Sequence, residues 1–231
     1  MISLAESINF GERVASRRAS DSLLYAGNLG KKKIMISREE ARTIASIPGN
    51  IRGSAFLSDA ENLKRRLGAA GMQKVLKAMA AIGYPMAYEK MRAMQWYPLG
   101  LRLLSFAVLQ DVFAWTGDDF REMGDNAPKY SFIVKLMMKF FISPEAAFRR
   151  APEYWKRHYS TGTLEIGTFD ESAKEVILRL KDFNAIRAYR SYLEGFFRRL
   201  MQYLLPADDV RCEEKECKYE GAQCHEFRIT W

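Results

Sequence analysis

After His158 the spacing of apolar residues changes, and that change constrains the fold more than any other feature of the chain. Before it, apolar residues recur at helical intervals, as in Met72, Val75, Leu76, Met79 and Ile82. Beyond it, TLEIGTF and KEVILRLKDF alternate, with Asp170-Glu171-Ser172 supplying a turn, so the pair reads as a β-hairpin. A helical stripe returns over residues 184–205, where Ile186, Tyr189, Leu193, Phe196, Phe197, Leu200 and Leu204 share a face and Pro206 ends it. DVRCEEKEC and QCHEFRITW then close the chain as a second hairpin around Glu220-Gly221. Helices followed by strand–strand–helix–strand–strand predict an α+β domain: a four-stranded antiparallel sheet with a helix laid across it.

The helical part begins with punctuation. Ser37-Arg38-Glu39-Glu40 is a capping box whose helix ends before Pro48-Gly49-Asn50. The turn at Pro48 divides an N-terminal extension, residues 1–50, from a single domain, residues 51–231, itself helical over 51–158 and hairpin–helix–hairpin over 159–231. Ser58-Asp59-Ala60-Glu61 is a second capping box, opening a helix that closes at Gly68, and Gly83 and Pro85 stop the next one. Pro98 opens LGLRLLSFAVLQDVFAW, apolar on nearly every side, which marks a helix buried in the centre. A short helix from Asp118 is expected to end at Gly124, residues 128–142 form another, and residues 144–150 add a turn or two.

The net charge of +8 is spread over short clusters such as Lys31-Lys32-Lys33 and Lys64-Arg65-Arg66, each with acidic residues nearby. That is the pattern of solvated helix faces, and no nucleic-acid partner is expected. No apolar run is long enough to span a bilayer, and the N-terminus lacks the apolar stretch of a secretory signal. Three cysteines, an odd number, do not make a disulfide framework and place the chain in a reducing cytoplasm. Gly-x-Ser-x-Gly, Gly-x-x-x-x-Gly-Lys and Gly-x-Gly-x-x-Gly are all absent, so the expectation is a protein without catalytic activity.

Aromatic and methionine side chains give the candidate binding residues: Phe132, Met137 and Phe141 on the 128–142 helix, Tyr192 and Phe196 on the long helix, and Trp96 with Tyr97 before the central one. Each either packs the core or lines a pocket for an apolar small molecule. His158, in EYWKRHYST, is either a capping histidine beside Trp155 or a pocket-rim imidazole that hydrogen-bonds a ligand. In the terminal hairpin, a two-residue turn at Glu220-Gly221 sets Cys217 directly across from Cys224 and turns His225 to the other face with Phe227, Ile229 and Trp231. Cys217 and Cys224 are then inert thiols, a redox-sensitive pair, or two ligands of a zinc ion that needs a bulge or further donors to complete its shell.

The stretches IRGSAFLSDAENLKRRLGAAGMQKVL, WYPLGLRLLSFAV, DFREMGDNAPKY, RAPEYWKRHYSTGTLEI and CHEFRITW, in that order over residues 51–231, resemble the superfamily of haem–nitric-oxide-binding and 4-vinyl-reductase-like domains and their bacterial relatives. The resemblance implies a small-molecule or cofactor sensor in bacterial signalling, with a pocket between helices and sheet. Haem–nitric-oxide-binding domains hold haem through a helix-borne histidine and set a Tyr-x-Ser-x-Arg motif on its carboxylates. This chain has only His158 and His225, both at the sheet end, and no Tyr-x-Ser-x-Arg, so haem held that way is not expected. The reading is a non-enzymatic ligand-binding domain that signals through a homodimer or a partner protein. The alternatives are an assembly protein with a fully packed core and an enzyme of tetrapyrrole metabolism.

Overall fold

A computed structural model of the chain describes residues 36–131, 134, 144–205, 207, 209–217 and 221–231. Helix α1 (Arg38–Ala45) starts at the Ser37 capping box, in which the Ser37 hydroxyl accepts from the Glu40 amide and the Glu40 carboxylate accepts from the Ser37 amide. It lies on the central helix α3 (Leu99–Phe113), where Gly100 admits the carbonyl of Ala45 so closely that a Cβ would stand 2.3 Å from its oxygen. A two-stranded ribbon of β1 (Asn50–Arg52) and β2 (Trp96–Pro98) brackets α2 (Gly53–Ala81).

Helix α2 starts at Gly53, straight from β1, and the Ser58 box falls inside it. The expected start at Ser58 is wrong because the ribbon hands the chain directly into the helix. The expected stop at Gly68 is a kink, with φ 66° and ψ −176°, after which the helix resumes. Helix α3 is buried through Leu99, Leu103, Leu104, Phe106, Val108 and Leu109, as its all-round apolar character requires.

Helix α4 (Gly117–Tyr130) runs through Gly124 and Pro128, so Gly124 is not a helix terminus. It marks a crossing. A Cβ on Gly124 would stand 1.9 Å from the Tyr192 carbonyl oxygen, and one on Gly195 would stand 1.9 Å from that of Arg121. These glycines let α4 and the long helix α6 (Arg187–Leu204) touch backbone to backbone. Of the helix predicted over residues 128–142, residues 128–130 belong to the end of α4, and most of the rest lie outside the described residues. Helix α5 (Pro144–His158) is longer than the expected turn or two and continues through Pro152 to His158.

The sheet is the one expected: β3 (Thr163–Asp170), β4 (Glu175–Lys181), β5 (Arg211–Glu216) and β6 (His225–Thr230), in spatial order β3-β4-β6-β5 and antiparallel throughout. Val176, Leu178 and Leu180 of β4 and Phe227 and Ile229 of β6 form its buried face, on which Phe197 of α6 packs edge-on to Phe227. The terminal hairpin departs from the expected pairing. Arg211 to Glu214 keep the register of a two-residue turn, but a bulge between Glu214 and Glu216 then shifts it by one, so Glu216 pairs with Glu226. The shift carries Cys217 away from Cys224 and toward His225.

Candidate functional site

A cavity of about 150 Å³ opens between the helices and the sheet. Helix α6 forms one wall with Tyr192, Phe196, Leu200 and Leu204, each one turn beyond the last. Helix α5 forms another with Ala147, Ala151, Tyr154, Trp155 and His158, and the two alanines leave the space that larger residues would fill. Leu164 of β3 and Leu178 of β4 form the floor, and Ser54, Ala55 and Ser58 of α2 close one end. The lining is aliphatic and aromatic, with a few polar atoms.

The most buried of these belong to a charge cluster. Arg102 of α3 is fully buried, and its guanidinium holds both oxygens of the buried Asp59 carboxylate at 2.7 and 2.9 Å. It also donates to the Tyr189 hydroxyl, which lies 2.7 Å from that of Tyr159. Burial alone would favour a neutral guanidine, but Asp59 and the surrounding tyrosines hold Arg102 firmly protonated. The Tyr192 ring lies 4.5 Å beneath the same guanidinium. The charge is closed on itself.

His158 is different. It ends α5, lines the cavity, and among the described residues has no hydrogen-bond partner. Burial pushes its pKa down to about 4, with Arg52 and Arg157 acting in the same direction. At neutral pH it is an uncharged imidazole with one donor and one acceptor nitrogen. Of the two histidines expected at the sheet end, His225 lies on β6 and His158 is the last residue of α5, five residues before β3.

Of the other residues singled out in the sequence, Tyr192 and Phe196 line the cavity with His158, whereas Trp96 and Tyr97 do not. Trp96 faces outward under the Arg52 guanidinium, 3.7 Å away. The Tyr97 hydroxyl accepts from the Arg92 amide at 2.9 Å, and its ring meets Phe56 edge-on. Phe132, Met137 and Phe141 lie outside the described residues. Sequence reasoning misses Arg102 and Asp59, although a lone arginine in LGLRLLSFAVL is the signal that a buried partner must exist. Asp59 is hidden there by its place in a capping motif.

In the terminal hairpin the bulge gathers Glu214, Cys217 and His225, whose oxygen, sulfur and nitrogen atoms lie within 4.8 Å of one another. This carboxylate, thiol and imidazole are the set that could hold a zinc ion, and Cys224 is not among them. Glu214 is already engaged: one oxygen lies 2.6 Å from His225 Nδ1 and the other 3.2 Å from the Arg190 guanidinium. All three cysteines are buried and free.

The sequence resemblance brings haem with it, and the cavity does not fit that group. Its volume is that of a single aromatic ring, not of a macrocycle. Its only cation among the described residues, Arg102, is held by Asp59 and cannot serve a haem carboxylate. The chain has no Tyr-x-Ser-x-Arg motif for the haem carboxylates.

No family model matches the chain, and no curated protein matches it. Solved structures do. An H-NOX protein from S. oneidensis in the Fe(II)NO ligation state superposes with a TM-score of 0.60 at 10% identity, covering 78% of this chain and 98% of that one. A mutant of an H-NOX protein from S. oneidensis, in the Fe(II) ligation state, gives 0.61 at 12%, covering 78% and 95%. The Fe(II) unliganded H-NOX protein from K. algicida gives 0.55 at 11%, covering 78% and 96%. At these identities the likeness speaks for the fold, and the resemblance read from the sequence is borne out at that level: this chain has the fold of the H-NOX proteins.

Proposed function

We propose that this chain is a non-enzymatic ligand-binding domain that takes an apolar small molecule into the cavity between α5, α6 and the sheet, and passes occupancy on through a partner protein or a second copy of itself. The observation that carries the reading is the cavity: a fully packed core, as an assembly platform requires, would leave no such space at the helix–sheet junction. The H-NOX fold of the solved neighbours is consistent with a sensor and gives no support to a 4-vinyl-reductase reading. Signalling follows from differential binding, in which a ligand that fits one packing of α5 against α6 better than another shifts the population toward it. Three free cysteines favour a reducing cytoplasm, and among the described residues no helix is long and apolar enough to cross a membrane.

Native and denaturing mass spectrometry of the purified chain tests this reading. A mass excess present only in the native spectrum, and lost on filling the cavity with Ala151→Phe, is the expected result. An identical native mass for the two proteins, after correction for the substitution and after exposure to cell extract, would contradict it. The same spectra read out a dimer and any bound zinc.

A further inference from the structure

The mismatch with haem leaves an open question about what a cavity of this size and lining selects. We infer that its ligand is a neutral single-ring aromatic carrying one hydroxyl, with the ring between Phe196 and Trp155 and the hydroxyl on the imidazole of His158. The inference rests on the proposed ligand-binding role and narrows it to a chemical class.

Three features carry it. The volume of about 150 Å³ is that of apolar cavities that admit a benzene-sized molecule. The walls are apolar, so a charged group inside would lose its hydration: Arg102, the one cation lining the cavity among the described residues, is committed to Asp59. An ammonium group is opposed by Arg52 and Arg157, the charges that already disfavour a proton on His158. What remains is neutral polar lining: the hydroxyls of Ser54, Ser58, Ser131 and Tyr154, and the His158 imidazole, for which no hydrogen bond is seen among the described residues and which alone couples a donor with an acceptor on a flat ring. A hydroxyl both donates and accepts, so it serves His158 whichever nitrogen carries the proton. The half-buried imidazole would exchange solvent for the ligand hydroxyl as the ring enters the cavity.

Phenol and toluene, which have nearly the same shape, separate the hydroxyl from the ring. Calorimetric titration of the full chain with each should show saturable binding of both. The ratio of phenol to toluene affinity should fall about tenfold in His158→Phe, the usual consequence of leaving a buried hydroxyl unpaired. His158→Gln, which keeps a donor and an acceptor, should hold the ratio within about threefold of the original. Ala151→Phe should abolish binding of both. An unchanged ratio in His158→Phe would overturn the hydroxyl assignment while leaving the cavity reading intact. Failure of both ligands to bind the original chain would remove the cavity reading as well. Haemin binding with a His158-dependent Soret band would overturn the inference in favour of the macrocycle.

Discussion

His158 and His225 differ in their surroundings: one is half-buried at the helix–sheet cavity, the other buried in the terminal hairpin. His225 is almost fully buried and its Nδ1 is tied to Glu214, which is paired in turn with Arg190. That arrangement stabilises the hairpin against α6. His158 is held at the wall of an apolar cavity, with no hydrogen bond among the described residues. The first histidine belongs to the scaffold. The second is a half-buried imidazole on the cavity wall, which the proposed ligand would meet.

The largest effect expected in either region comes from the charge cluster beside the cavity. Asp59→Ala strands the buried Arg102 guanidinium and should lower unfolding stability by about 3–5 kcal/mol, read by urea denaturation. In the hairpin, Glu214→Gln removes the charge that Arg190 and His225 share. It should cost about 2 kcal/mol, with no effect on ligand binding. Loss of toluene binding in that variant would break the division between the two regions.

A smaller effect separates His158 by pH. Its folded pKa of about 4 lies below the ordinary value of 6.5, so between these limits the unfolded chain binds a proton that the folded chain refuses. Its contribution is therefore fully present above pH 6.5 and lost as pH falls toward 4. The original chain should lose about 1 kcal/mol more than His158→Gln over that window, allowing for partial exposure, and equal slopes in urea midpoints would show that the imidazole is not held neutral. Cys224→Ala should cost no more than about 1 kcal/mol, because Cys224 lies outside the Glu214, Cys217 and His225 group.

The architecture was legible wherever periodicity alone decides it. The alternating stretches became β3 and β4, the stripe from Tyr189 to Leu204 became α6, and LGLRLLSFAVL became the buried α3. Errors arose where a residue's local meaning was overruled by a distant partner. Gly124 reads as a helix end, but α6 crosses there. Ser58 reads as a cap, but the β1–β2 ribbon has already launched the helix at Gly53. The bulge at Glu214 and Glu216 has no local signature, yet it moves Cys217 from Cys224 to the side of His225. The site was half visible for the same reason. Tyr192, Phe196 and His158 stand out by type and position, whereas the space itself is made by Ala147 and Ala151, which no pattern distinguishes from ordinary helix formers.

Entry of a small aromatic into this cavity is tested most directly by methyl spectra of the leucines. On titration with phenol, the methyl signals of Leu164, Leu178, Leu200 and Leu204, which line the cavity, should shift saturably. Those of Leu63 and Leu109, buried but not lining it, should hold still. Shifts spread equally over both sets, or no shift up to the solubility of phenol, would contradict the account.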